Sequence, residues 1–247
     1  MSPLIDQLKK LNRKERFLLL QAAIGEEQFV LGENFRKQVG KAIGLEVPAK
    51  AFFAIDYHLD WLYVAIRSCN AAPDTLFADE IGINRNQEDI DLLIAFDQDD
   101  VTHLVLIEAK GVTGWGREQI ASKLRRLAVI DNVVKTSPCK VRFHLLLTGL
   151  YESAKLTQAE IVGLMPDAAL PDWAFFNTAL RWIKLELPEH VELVAPMRYD
   201  TPDKKSKAGT NWKLQTFRLP ERLSSDPDHD LHGNTTTQPN ADQELAP

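Results

Sequence analysis

The stretch EDIDLLIAFDQDDVTHLVLIEAKG, residues 88 to 111, constrains this chain more than any other. Two apolar runs, IDLLIAF and HLVLIEA, flank the polar DQDD, the pattern of two strands joined by a tight turn. Strands this apolar belong in a sheet covered by helices on both faces. Each run nevertheless carries ionisable residues at the end far from the turn: Asp89 and Asp91 on the first, Glu108 and Lys110 on the second.

Centring the turn between Asp99 and Asp100 sets Leu93 opposite Leu106, Asp91 opposite Glu108 and Asp89 opposite Lys110. Side chains alternate along a strand, so these four ionisable groups emerge on one face at one end. Facing residues are about 4.5–5.5 Å apart at Cβ, and like charges there repel. Asp91 and Glu108 therefore call for a compensating cation. Lys110 supplies one charge; a divalent ion would supply two, and converging carboxylate oxygens suit Mg2+ or Mn2+.

The rest of the chain frames this hairpin with helices. SPLIDQLKKLNRKERFLLLQAAIG and GENFRKQVGKAIGLEVP read as helical, the second capped by Gly32 and ended near Gly44. DYHLDWLYVAIRSC reads as a third helix, with Asp56 and Asp60 sharing a face as a surface pair or cap, and TLFADEIGIN reads as a strand. After the hairpin come a helix over about 116–134, the strand KVRFHLLLTG, helical readings for LTQAEIVGLM and DWAFFNTALRWI, and edge strands in IKLELP and HVELVAPMRYD. The core order is α-β-β-β-α-β, with extra elements at both ends.

With 247 residues, 45% of them hydrophobic, the chain can bury a substantial core. The expected organisation is one domain over 1–219 and a disordered tail over 220–247, where six acids and Arg222 leave a charge of −5 out of the total of −6. His229 and His232 in that tail lack the rigidity of a metal site. Basic residues cluster at Lys9–Arg16, at Arg117–Arg126 and at Lys204, Lys205 and Lys207, each either a solvated face or a phosphate track. No apolar stretch approaches the roughly 18 residues of a membrane span, and the first residues lack a secretory h-region, so a cytoplasmic location is expected. Cys69 and Cys139, without CxxC spacing, are expected to be free thiols.

Asp91 followed by Glu108-Ala109-Lys110 at the end of the next strand resembles the PD-(D/E)XK nuclease superfamily, over about Glu33 to Gly149. Glu108-x-Lys110 is the one ExK in the chain; Asp203-Lys204-Lys205 fits the looser pattern but lies in a polar segment. Asp91 follows Ile90 rather than proline. The resemblance implies an α/β fold with a restriction-endonuclease-like core, a central mixed sheet flanked by helices on both faces. It implies a divalent-metal-dependent nuclease acting on nucleic acid, above all DNA, in repair, restriction or defence, and a homodimer where both strands of a duplex are cut. Asp91, Glu108 and the Ala109 carbonyl would hold Mg2+ or Mn2+, and Lys110 would orient the attacking water or stabilise developing charge.

Gln119 and Lys123 resemble the further polar positions of such proteins; with Arg126 they share a helix face that either meets phosphate or is merely solvated. Glu33 is the candidate acid from the first core helix, with Glu26 and Glu27 as competitors. Trp115 is placed either to stack on a base or to plug the core. The alternative function is a catalytically silent nuclease-fold protein that serves as a binding or scaffold module.

Overall fold

The structure, a computed structural model, describes residues 2–69, 71–72, 75, 88–110, 116–149, 157–165, 171–176, 179–185 and 193–217. The chain forms two compact units, Met1–Glu186 and Leu187–Pro247. The tail expected over 220–247 lies outside the described residues, as do Trp115 and, apart from Thr75, the strand expected in TLFADEIGIN.

The helices of the first unit are α1 (Pro3–Leu11), α2 (Glu15–Ile24), α3 (Glu33–Ile43), α4 (Leu59–Arg67), α5 (Arg117–Thr136) and α6 (Gln158–Gly163). Its strands are β1 (Phe52–His58), β2 (Asp89–Gln98), β3 (Val101–Lys110), β4 (Val141–Gly149), β5 (Phe175–Phe176) and β6 (Ala179–Lys184). They form a mixed sheet in the order β1-β2-β3-β4-β6, with the two-residue β5 at the far edge. β2 runs antiparallel to both β1 and β3, whereas β4 lies parallel to β3, and β6 parallel to β4.

The hairpin has the register its sequence dictates, from Gln98 opposite Val101 to Leu92 opposite Ile107. Asp99 and Asp100, with φ of 52° and 59°, make the two-residue turn whose left-handed residues match the strand twist. Alternation then divides the core. Leu93, Ala95, Leu104 and Leu106 pack in one cluster with Leu8 of α1, Leu62 of α4 and Leu124 of α5. Ile94, Phe96, Val105 and Ile107 pack in the other with Val39 of α3. Helices therefore cover both faces, α3 on one and α1, α4 and α5 on the other.

Local chemistry sets the helix ends. Ser2 caps α1 with its hydroxyl accepting from the Ile5 amide at 3.4 Å, and Pro3 opens the first turn. Gly44 ends α3 in the left-handed conformation, φ 73°. Gly40 of α3 admits the chain that follows: a Cβ there would stand 2.5 Å from the Leu45 carbonyl oxygen.

Three sequence expectations are corrected. The helix expected from Asp56 begins only at Leu59, because FFAIDYH pairs with β2 as an edge strand. Asp56 and Asp60 consequently share no helix face; Asp56 sits at φ 50° near Arg16 at 3.3 Å, and Asp60 meets Arg126 at 3.0 Å. ALRWI, expected to be helical, lies in β6: the parallel place beside β4 and the burial of Leu180 and Ile183 in opposite clusters override its helix-forming composition. Cys69 and Cys139 are not free thiols. They form a disulfide, Cα–Cα 6.7 Å, between the end of α4 and the turn after α5. Such bonds are rare in the cytosol, which bears on the location expected from the sequence. No described helix is long and apolar enough to cross a membrane.

The second unit contains β7 (Leu193–Thr201), β8 (Lys204–Lys205) and β9 (Asn211–Phe217), antiparallel in the order β8-β7-β9. Gly209 is required in it: a Cβ would stand 2.4 Å from the Tyr199 carbonyl carbon.

A buried histidine pair gives the first unit a pH dependence. His103 Nδ1 and His144 Nε2 lie 3.0 Å apart, with Phe96 stacked on His103. Burial lowers both pKa values, that of His144 to about 4, and His103, Arg181 and Arg142 add to the effect on His144. Their neutral forms thus favour the fold above pH 6.5, and that contribution is lost as pH falls toward 4. Urea unfolding from pH 7 to 4.5 is expected to show a steeper loss for wild type than for His144→Phe; parallel curves would contradict this.

Candidate active site at the open end of the hairpin

The ladder between β2 and β3 ends at Leu92 and Ile107, while β2 stays paired with β1 as far as Asp89 and β3 with β4 as far as Lys110. The two central strands therefore part where the ionisable residues begin. Asp91 spans the opening: its carboxylate accepts from the Ala109 amide at 2.7 Å. The expected ladder pairs of Asp91 with Glu108 and Asp89 with Lys110 do not form. An acidic side chain takes up a backbone donor beyond the ladder's end.

Glu108 points to the face covered by α5 and is 1% exposed. Burial pushes its carboxyl up to about 7; Lys123 pulls it down, Asp91 pushes it up and Lys110 pulls it down. The cation in direct contact is Lys123, whose ammonium donates to Glu108 Oε1 and, at 2.6 Å, to the Asp89 carbonyl. Lys110 and a divalent ion were the compensating charges expected from the sequence; Lys123 is a further one, and it is the one in contact. Sequence spacing along β3 could not show a lysine arriving from α5.

Arg126, three residues on, reaches Asp60 at 3.0 Å and Glu88 at 3.7 Å, and Ser122 donates to Glu88. The helix face carrying Lys123 and Arg126 is thus turned inward, not solvated. Gln119, one turn nearer the helix N-terminus, is exposed. Asp89 is held by Lys14 at 2.7 Å and by contact with His58 Nδ1. Lys14, His58, Glu88 and Ser122 had no signal as site neighbours in the sequence, since α1–α2, β1 and α5 meet only in the fold.

Asp91, Glu108, Lys110 and Lys123 are brought to one end of the sheet. Lys110 is half-buried and, among the described residues, makes no ion pair. Glu33 is not brought into hydrogen-bond or ion-pair contact with them. It opens α3, on the opposite face from Glu108, and pairs with Lys37 at 2.5 Å, a contact that lowers its pKa. Glu33 and Lys184 line a cavity of about 550 Å³. Among the described residues no three acids, histidines or cysteines converge as a metal-ligating group.

The raised Glu108 carboxyl has a defined consequence. Its folded pKa of about 7 lies above the ordinary glutamate value of 4.5, so its contribution to stability is complete below about 4.5 and is lost as pH rises through 7. Relative to Glu108→Gln, wild type is expected to lose on the order of 3 kcal/mol between pH 4.5 and 8 in urea unfolding. A difference that grows with pH instead would mean that the attraction of Lys123 outweighs desolvation.

Compared with known proteins, the chain matches no protein-family model, no curated protein and no solved structure.

Proposed function

We propose that this chain is a metal-dependent phosphodiester hydrolase of the nuclease type, acting on nucleic acid, above all DNA, in repair, restriction or defence. The observation that carries this reading is the gathering of Asp91, Glu108 and Lys110 where β2 and β3 part, with Glu108 buried. The antiparallel run β1-β2-β3, followed by α5 and the parallel β4, supports a restriction-endonuclease-like core.

The donor types are those that the metal of this chemistry takes. Asp91 and Glu108 offer hard carboxylate oxygens of the kind Mg2+ and Mn2+ take, with the Ala109 carbonyl as the expected third donor. When bound, such an ion supplies Lewis-acid activation of water and of the phosphodiester. Glu108 must be ionised to serve as a ligand, so metal affinity is to rise with pH through about 7. With Glu108 given over to an ion, Lys123 would still have the Asp89 carbonyl as a partner. Lys110 is left to orient the attacking water or to stabilise negative charge on the phosphorane, and Gln119 is available to phosphate.

A second reading, a catalytically silent nuclease-fold binding module, is favoured by one feature: Lys123 already pairs with Glu108, and the Ala109 amide already takes an Asp91 oxygen.

Cleavage of plasmid, single-stranded DNA and RNA with Mn2+ or with EDTA separates the two. The nuclease reading expects Mn2+-dependent cleavage that Lys110→Ala abolishes. It also expects a metal-dependent stabilisation of about 2.7 kcal/mol at a hundredfold excess over Kd, lost in Asp91→Asn. Absence of both cleavage and stabilisation would leave the silent module. Undiminished cleavage by Lys110→Ala would remove that residue from the mechanism.

A further inference from the structure

Glu108 and Asp91 are each half committed. Glu108 accepts from the Lys123 ammonium through Oε1, and Asp91 accepts from the Ala109 amide through Oδ2 at 2.7 Å. Among the described residues nothing donates to Glu108 Oε2 or to Asp91 Oδ1. Lys123 is itself placed as a bound cation would be. It is buried, and its ammonium meets two oxygens from different strands, Glu108 Oε1 of β3 and, at 2.6 Å, the Asp89 carbonyl of β2. A carboxylate and a main-chain carbonyl are the hard donors that Mg2+ and Mn2+ take.

The charge of the whole cluster points the same way. Around the open end of the hairpin Asp60, Glu88, Asp89, Asp91 and Glu108 stand against Lys14, Lys110, Lys123 and Arg126, one net negative charge with His58 counted as neutral. One divalent ion together with one phosphodiester brings that balance to zero. A second divalent ion would leave an excess of two positive charges in a partly buried space, where cations repel one another with little screening.

We infer that Lys123 stands in for a second divalent ion, so that the site takes one ion, at Asp91 and Glu108, and keeps the ammonium as its other cation. Two-ion sites hold their ions about 3.5–4 Å apart to stabilise the attacking and the leaving oxygen together. Here one of the two cations is carried by α5. The contact between Lys123 and Glu108 then belongs to a working arrangement: the ammonium keeps Oε1, and Oε2 is left for the ion. The inference rests on the nuclease reading of this site, and its test separates the two.

Mn2+ bound per chain is counted at pH 8 on the full-length protein, from the loss of the free-ion electron paramagnetic resonance signal, and plasmid cleavage is followed in the same samples. Wild type and Lys123→Arg are each expected to bind one ion. Lys123→Ala leaves Glu108 Oε1 and the Asp89 carbonyl without a cation, so it is expected to bind two ions and to lose thermal stability in EDTA that Mn2+ restores. Adding Glu108→Gln to Lys123→Ala should abolish the second ion. Two ions in wild type would overturn the inference, and that count decides even where Lys123→Ala does not fold. A folded Lys123→Ala that takes one ion with unchanged affinity would also overturn it, leaving Lys123 a structural partner of Glu108. Two ions in wild type with Mn2+-dependent cleavage would defeat the inference and spare the nuclease reading. One ion in wild type and two in Lys123→Ala, with no cleavage by either, would defeat the nuclease reading alone, and no bound ion in wild type would defeat both.

Discussion

The open end of the sheet depends on one buried contact, the ammonium of Lys123 against the carboxylate of Glu108. Removing a carboxylate from water is costly, and here the cost shows as a carboxyl pushed up to about 7 despite a lysine in contact. The pair is retained in the space between α5 and the sheet, where an apolar pair of similar size would be at least as stable. It also fixes α5, because the same ammonium holds the Asp89 backbone.

From that contact outward the site forms a chain of opposite charges. Lys14 and His58 hold Asp89, Arg126 ties Asp60 to Glu88, and Asp91 closes the gap between β2 and β3 by accepting from Ala109. Each acid of the EDID segment that faces the opening has a partner from a different element. Lys110 is the cation of the group without an ion pair among the described residues.

Much of this was legible in the chain. The hairpin register follows from two apolar runs and a two-residue turn, since a one-residue slip would move every core side chain to the wrong face. The same alternation placed Asp91, Glu108 and Lys110 together. What stayed hidden was tertiary. Lys123 as the partner of Glu108 requires α5 to lie on a particular face, and Glu33 on the other face requires knowing where α3 packs. The end of β1, residues 56–58, and most of β6 were read as helix because DYH runs straight into a helical stretch and ALRWI is rich in helix formers; pairing with β2 and with β4 decided the two segments. The Cys69–Cys139 bond joins residues 70 apart, which no local spacing could reveal.

A double-mutant cycle on Glu108→Gln, Lys123→Met and the paired variant, measured by urea unfolding at pH 8 and pH 5, tests the central contact most directly. The account expects a coupling of about 2–3 kcal/mol at pH 8, where Glu108 is ionised, and a clearly smaller one at pH 5, where it is protonated. A coupling below about 0.5 kcal/mol at both pH values would mean that the two side chains do not act as a pair, and that the open end of the sheet is organised by something else.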